Sequence, residues 1–504
     1  YFLSPPAHRP TAKPIPSSHS LRPPHFRRRD ALPSGLLAPR RFRQRIVTPP
    51  HHHRSTQLDP SQQCWRNWES ASEMSENDPA AAAATCPALP EDVVVEILAR
   101  VPDVVSLFRC AVACKRWHGL VADAGFLRRR IWPEGGRSLL GFFVQRNQLS
   151  VTAKRKVTRR FPSLAPSFVP APGSVLGPER RFLTSFVRDD VGLLDQAKPL
   201  AVRDGLLLVR IWPRPEDKKS ILRLCVCDLL AGRWNLLTPF DTDFFNGEGV
   251  RGYALLTAAD HGSGPHRPAD GYSTLFQVFL IGIRREERQM YLLKFSSSDT
   301  ASHRVWTGYN CSSHIPRGIW GPYGCRIAAV SGGTAHWLFH GSGPDRAPSL
   351  YSLDVSVNTG RVAVTKLPLD VLPRTIRIDQ DNVWLCLNME GRLSLCCLHK
   401  NILLTLADGN LSGTDGWHLT QAIVIGVEVG LFGIESLSSV CIGEKSGTLL
   451  ALYHSEPDRA YALDLQSGLT TKIAGWNRCF NYMTAVPCEI NLQAFFTSRL
   501  GAIP

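Results

Sequence analysis

The sequence predicts two regions of different class: a small all-α module and, behind it, a long all-β region built from one recurring unit. Two observations carry this. Apolar residues recur at helical spacing between Ala88 and Phe126, then change to strand-like alternation beyond residue 137. Within the second region one pattern of strands and glycine turns returns several times. A chain of 504 residues that is 43% hydrophobic holds enough apolar material for at least one large core.

Residues 1–87 read as a disordered leader rich in Pro, Arg and Ala. Of the net charge of +15, residues 1–73 carry +8, with runs such as Arg27-Arg28-Arg29 and His51-His52-His53 and no hydrophobic periodicity. Such a composition cannot bury enough apolar surface to offset its ordering entropy. Four readings compete for it: a nucleic-acid or nuclear-localisation tail, an organelle transit peptide, a solvated extension, and a segment outside the working protein. The last is favoured, because the sequence starts at Tyr1 and its first methionine, Met74, opens Met74-Ser75-Glu76-Asn77-Asp78-Pro79. Met74 is the expected natural start, and nucleic acid is not an expected partner.

The 14 cysteines are scattered, with no Cys-x-x-Cys and no Cys/His cluster at zinc spacing. They read as reduced thiols, many of them small core hydrophobes, in the cytoplasm or nucleus. No apolar run reaches the length of a membrane span, since Ala422 to Ile434 is interrupted by Glu428. No membrane partner is expected, and the sequons at Asn310 and Asn410 read as coincidental.

The α module occupies residues 88–130. In Leu89-Pro90-Glu91-Asp92-Val93-Val94-Val95-Glu96-Ile97-Leu98-Ala99-Arg100, Pro90 fits a first helical turn, and Glu91 and Asp92 suit the positive end of the helix dipole. Val94, Ile97, Leu98 and Val101 fall at helical spacing, Pro102-Asp103 breaks the pattern, and Val105 to Val112 form a second stretch. A third contains Trp117, Leu120, Val121 and Phe126. Three helices this short cannot make much of a core, so apolar side chains are left for a partner or for the rest of the chain.

The residues Leu89-Pro90-x-Asp92, Glu96-Ile97-Leu98-x-Arg100-Val101-Pro102, Ser106-Leu107-Phe108-Arg109-Cys110, Cys114-Lys115-x-Trp117 and Phe126 resemble an F-box. The resemblance covers about 8% of the chain but fixes many spacings. It implies docking on a Skp-type adaptor, and through it on a cullin scaffold and RING subunit of a ubiquitin ligase. Carried over position by position, it makes Leu89, Pro90, Ile97, Leu98, Pro102, Leu107, Val112, Cys114 and Trp117 adaptor-binding residues or the packing that supports them. Val101 stands where leucine is commoner, a change the interface should tolerate.

From residue 138 to 500 one unit recurs: strand, glycine hairpin, strand, an apolar strand ending near Asp, a turn, and a closing strand. Its hairpin glycines are Gly205, Gly333, Gly391 and Gly447, with Asp228, Asp354 and Asp464 near the later turn. A degenerate unit lies between the first two, with strands at Thr274 to Ile283 and Tyr291 to Ser296 and an end near Trp306. The pitch resembles kelch-type propeller blades with loop insertions. It implies an all-β propeller of about six blades, with seven as the other count, and ring closure protects the sheet edges. Leu139 to Val144 and Glu489 to Phe495 are the candidate closing partners. An F-box followed by a degenerate propeller resembles a large family of plant F-box proteins.

Chemistry is sparse. Gly247-Glu248-Gly249-Val250-Arg251-Gly252 matches a dinucleotide fingerprint, but a strand-like Tyr253-Ala254-Leu255-Leu256 follows where that motif needs a helix. No nucleophile elbow, phosphate loop or metal helix is present, so no catalytic residue, cofactor or metal is expected. His336 reads as core, the tryptophans at 234, 306, 337, 384 and 417 as blade packing, with ligand contact by one or two at a loop-bearing rim as the alternative, and Arg284 to Arg288 as a solvated hairpin tip. The expected role is a non-catalytic substrate-recognition subunit whose propeller presents loops to an unknown protein target. The alternatives are a propeller enzyme or ligand sensor with an incidental helical cap, and a basic nucleic-acid binder acting through residues 1–54.

Overall fold

The structure is a computed structural model. It describes residues 89–490 except for segments 102–103, 127–138, 147–164, 177–180, 213–219, 246–249, 262–274, 285–288, 298–305, 312–318, 323–326, 343–347, 368–382, 389–390, 400–401, 409–416, 425–436 and 454–457, and positions 112, 124, 173, 175 and 445. The expected leader, Pro102 and Val112 therefore lie outside the described residues. Residues from Pro87 onward belong to one compact unit.

Three helices open it: α1 (Glu91–Ala99), α2 (Val104–Ala111) and α3 (Lys115–Ala122). Pro90 sits one place earlier than expected, at the N-cap of α1, where its carbonyl accepts from Val94 N at 3.1 Å. Glu91 and Asp92 fill the first turn, and the Arg100 amide closes the other end on the Ile97 carbonyl. Cys114 caps α3, its Sγ accepting from Trp117 N at 3.4 Å.

The described strands form six sheets, all antiparallel, and these are the six blades of a propeller. Blade 1 runs outward from its innermost strand through Lys198–Arg203, Leu206–Ile211, Ile221–Asp228 and Arg233–Leu236. Blade 2 holds Val250–Thr257, Phe276–Arg284, Gln289–Ser296 and Thr307–Asn310, so the degenerate unit is a complete blade. In blade 3 both Ile319–Pro322 and Ala329–Ser331 pair with Thr334–Ser342, which is followed by Pro348–Ser356 and Val362–Leu367. Blade 4 holds Val383–Leu387, Leu393–His399, Ile402–Asp408 and Trp417–Val424, and blade 5 holds Leu437–Ile442, Thr448–Tyr453, Ala460–Asp464 and Thr470–Lys472.

Blade 6 closes the ring from both ends of the β region. Its order is Ser167–Pro170, Leu139–Arg146, Phe480–Glu489, with Leu139 opposite Glu489 and Arg146 opposite Phe480. The closing partner of Leu139 to Val144 thus ends at Glu489, where it was expected to begin. Pro487, which lacks an N–H, stands opposite Phe142 on the innermost strand, which among the described strands pairs on one side only, and such an edge strand tolerates proline.

Two turns recur from blade to blade. Gly205, Gly333, Gly391 and Gly447 all take positive φ, between 58° and 81°, which only glycine adopts without strain. The later turn begins on Asp228, Ser356 and Asp464, whose carbonyls accept from the amides of Gly232, Gly360 and Gly468. The side chains of these first residues also cap the turn: Asp228 takes the amides of Leu230 and Ala231, Asp464 those of Gln466 and Ser467, and Ser356 that of Thr359. One further bond ties the two turns together, from Leu229, Val357 and Leu465 N to the carbonyls of Gly205, Gly333 and Gly447. In blade 3, therefore, Ser356 and not Asp354 is the turn residue.

The core lies between the blades, each interface filled by alternate residues of two neighbouring sheets. Trp337, Phe339 and Val355 of blade 3 join Leu256, Phe279 and Ile281 of blade 2, while Leu338, Leu350 and Leu367 face Val383, Leu395 and Leu406 of blade 4.

Candidate functional site

Helix α1 has two apolar faces. Val94 and Leu98 turn inward and are 4% and 1% exposed, with Val95, Ala99 and Val101 packed beside them. On the other side Val93 and Ile97, one turn apart, remain 39% and 48% exposed, and Leu89, just ahead of the N-cap, is 52% exposed. Pro90 is also exposed, and the Arg116 guanidinium of α3 donates to the Leu89 carbonyl across the module. An apolar stripe of this kind gains nothing from its own fold, and a partner that completed its burial would contribute about 1 kcal/mol per side chain.

The inward face does not close on the helices alone. Val94, Leu98, Leu107, Phe108, Ala111, Val121 and Phe126 belong to the same buried cluster as residues of blade 6 (Leu140, Phe143, Val486, Cys488) and blade 1 (Leu207, Cys225, Cys227). Between them stand Phe143, Phe168 and Phe186, with ring centroids 4.9 to 5.5 Å apart. A Cβ on Gly232 would lie 3.2 Å from the Arg109 guanidinium and 3.3 Å from the Phe186 carbonyl, so the turn of blade 1 packs closely beneath α2. The module is thus a cap on its own chain and also carries a free apolar stripe.

The sequence-derived set divides accordingly. Leu89, Pro90 and Ile97 are exposed, whereas Leu98 and Leu107 are buried within the chain. Trp117 is half-buried against the same core, and Cys114 is exposed at the α3 cap. Val93 was absent from the set, although the spacing Leu89, Val93, Ile97 was there to be read. Val101 packs on the core side, so its smaller volume bears on packing and not on the stripe.

A second polar centre lies at the axis of the ring. Innermost strands from blades 1, 3, 4, 5 and 6 line a cavity of about 60 Å³, bordered by Arg203, Ala329, Cys386, Glu444 and Glu489. Arg203 pairs with Asp260, its Nε 2.8 Å from Oδ2, and also with Glu444, and it donates to the Val330 carbonyl at 3.3 Å. Burial opposes the Arg203 charge, but Glu444 and Asp260 more than offset that and keep it protonated. Burial pushes the Glu444 carboxyl up, Arg203 draws it back, and Glu489 and Asp260 leave it raised overall. Asp204 accepts from Thr257 Oγ1 at 2.8 Å, and Glu489 accepts from Ser446 N at 2.8 Å. The cluster fastens together blades far apart in sequence, which no spacing of residues along the chain could reveal.

The other sequence candidates are structural. His336 pairs with Asp354 inside blade 3 at 2.7 Å, and Trp337 beside it is fully buried. Trp234 and Trp306 donate to the carbonyls of Arg188 and Thr238. Val250–Thr257 is a strand, so no helix terminus follows Gly252 to receive a phosphate. The tip 285–288 lies outside the described residues. Among the described residues no group of three or more His, Cys, Asp and Glu is placed to hold a metal ion, and no helix is long and apolar enough to cross a membrane.

Comparison with known proteins bears on both regions. Similar solved structures include a protein from Lactobacillus plantarum at 9% identity, over 66% of this chain and 81% of that one, with a TM-score of 0.31. The alpha-L-arabinanase of Penicillium chrysogenum complexed with arabinobiose matches at 13% identity over 55% and 79%, TM-score 0.30. SapL1 lectin in complex with alpha methyl fucoside matches at 11% identity over 62% and 89%, TM-score 0.30. Likeness at this level carries nothing about function. No curated protein matches the sequence. Residues 86–133 match the F-box-like family, the stretch that holds α1 to α3 and the exposed stripe. A second family model, a domain of unknown function (DUF7595), matches residues 173–451, from just ahead of blade 1 into blade 5. That match spans more than half of the chain, and the protein therefore belongs to the DUF7595 family, with an F-box-like module in front of its propeller.

Proposed function

We propose that this protein is the substrate-recognition subunit of a cullin-RING ubiquitin ligase of the SCF type, joined to a Skp-type adaptor through its F-box and to a protein target through the propeller. The observation that carries this reading is the pair of opposed apolar faces on α1, one buried against the blades and the other, Leu89, Val93 and Ile97, left open. F-box domains in general bind Skp-type adaptors, and a rigid six-bladed ring is a suitable platform for a protein target. The subunit does no chemistry itself: it raises the effective concentration of a target lysine near a charged ubiquitin-conjugating enzyme. The kelch-type and plant-type affinities, and work in the cytoplasm or nucleus, are part of the same reading and rest on repeat pitch, domain order and reduced thiols.

Titration of the purified chain with a Skp-type adaptor tests it. Replacing Leu89 and Pro90 together by alanine should abolish binding at micromolar concentration while leaving the free energy of unfolding within about 0.5 kcal/mol of the parent. Leu98→Ala should do the reverse, destabilising the fold by about 2–5 kcal/mol through a buried cavity. Full adaptor affinity in the Leu89/Pro90 double variant would refute the assignment.

A further inference from the structure

Blade 4 brings two thiols together beside the axial cavity. Cys386 lies on the innermost strand Val383–Leu387 and Cys396 on its antiparallel neighbour Leu393–His399. In the register Cys386 faces Ser394 and Cys396 faces Trp384, so the cysteines are diagonal neighbours on one face of the sheet. Diagonal Cβ atoms usually stand well apart, yet here the two Sγ atoms are 3.2 Å from each other. A disulfide would need them to close by about a further 1.1 Å. Both side chains are buried, but Cys386 lines the cavity, whose border residue Glu444 keeps 23% of its side chain exposed. A molecule as small as hydrogen peroxide fits a space of about 60 Å³.

We propose that Cys386 and Cys396 are a reversible oxidation site, forming an intrablade disulfide when peroxide enters the axial cavity. The two thiols differ in character. Cys396 is drawn toward the thiolate by its hydrogen bond with Cys386, against its burial, and further by the Thr405 hydroxyl 3.7 Å away. Cys386 holds its proton more firmly, through the same hydrogen bond, its burial and the nearby Glu444 charge. The Cys386 sulfur, the one at the cavity wall, attacks one peroxide oxygen; the O–O bond breaks, and the hydroxide released takes the Cys386 proton and leaves as water. The Cys396 sulfur then attacks the Cys386 sulfenic sulfur. The S–O bond breaks, and the Cys396 proton leaves with the departing hydroxide as a second water. Overall two thiols lose two electrons and one peroxide gains them, and a dithiol reductant reverses the change.

Other cysteines supply internal controls. Cys225 and Cys227, two apart on one strand of blade 1, also share a hydrogen bond, but they lie in the core beneath the helices and do not border the cavity. Cys397 belongs to the opposite face, in the core between blades 3 and 4. Cys441 borders the same cavity from blade 5, and so is the rival partner for Cys386.

The test treats the full chain with a few equivalents of hydrogen peroxide, quenches it, unfolds it in an alkylating reagent and maps the linkages by mass spectrometry. The expected result is a peptide pair joining Cys386 to Cys396, lighter by about two hydrogens and restored to two alkylated thiols by prior dithiothreitol. Cys225 and Cys227 should remain alkylated throughout. In the Cys396→Ser variant the disulfide is lost and Cys386 should be captured as a sulfenic acid by dimedone. Because the mapping is made on the parent chain, it holds whether or not that variant folds. A disulfide from Cys386 to Cys441, or alkylation of both Cys386 and Cys396 while other thiols oxidise, would overturn the proposal.

Discussion

In blade 3, the Asp354 carboxylate accepts hydrogen bonds from His336, Ser352 and Thr365 while lying mostly out of water. Burial alone would raise its pKa, yet the bonds from His336, Ser352 and Thr365 outweigh it and hold the group below its ordinary value of 3.8. A carboxylate with a lowered folded pKa contributes stability that is present above the unfolded value and is lost as pH falls through the folded one. Asp354→Asn should therefore be less stable than the parent at pH 7, by about 1–3 kcal/mol, with the gap narrowing below about pH 4. Denaturant titrations at a series of pH values would show this, and a gap independent of pH would contradict it. The same residue marks a limit of reading from sequence. Asp354 lines up by eye with Asp228 and Asp464, but Ser356 makes the equivalent turn, because a serine hydroxyl caps a turn amide as an Asp carboxylate does.

At the level of elements, the parts that were legible are those in which local backbone physics dictates the residue. Gly205, Gly333, Gly391 and Gly447 mark hairpins because the chain there needs a left-handed turn, and those four glycines alone located blades 1, 3, 4 and 5. Helix α1 was legible for its spacing, but its two faces were not separable until the blades showed which one they covered. Strand pairing is less forgiving of sequence reading, as blade 6 shows: its partners are separated by more than 300 residues and nothing local pairs them. Within that blade a Cβ on Gly141 would sit 2.4 Å from the Val169 carbonyl and 2.5 Å from the Phe168 ring. Gly141→Ala must push the outer strand Ser167–Pro170 away from the middle strand Leu139–Arg146, at a cost of about 3 kcal/mol. Thermal unfolding of the variant is the check; an unchanged midpoint would mean that the outer strand yields without loss.

Across the whole molecule, the ring depends on one strand supplied late. Phe480–Glu489 is the innermost strand of blade 6, and Val486, Cys488 and Ile490 also belong to the cluster on which α1 to α3 rest. A chain ending before Phe480 should accordingly lose both the closed ring and the seat of the F-box helices, and size-exclusion chromatography should find it aggregated. A monomeric product with a cooperative transition at the parent midpoint would show that closure is dispensable. The axial pairing of Arg203 with Asp260 and Glu444 belongs to this scale too, and was invisible in the sequence because only the finished ring assembles it. The shared blade also has a consequence during synthesis. The helical module leaves the ribosome first, yet the last part of its seat is made some 360 residues later, between Phe126 and Ile490. At ordinary elongation rates of about 5–20 residues per second, the inward face of α1 waits roughly 20–70 s for the last part of its seat, while the outward stripe stays open. During that interval the open stripe is an apolar surface that can pair wrongly with other chains.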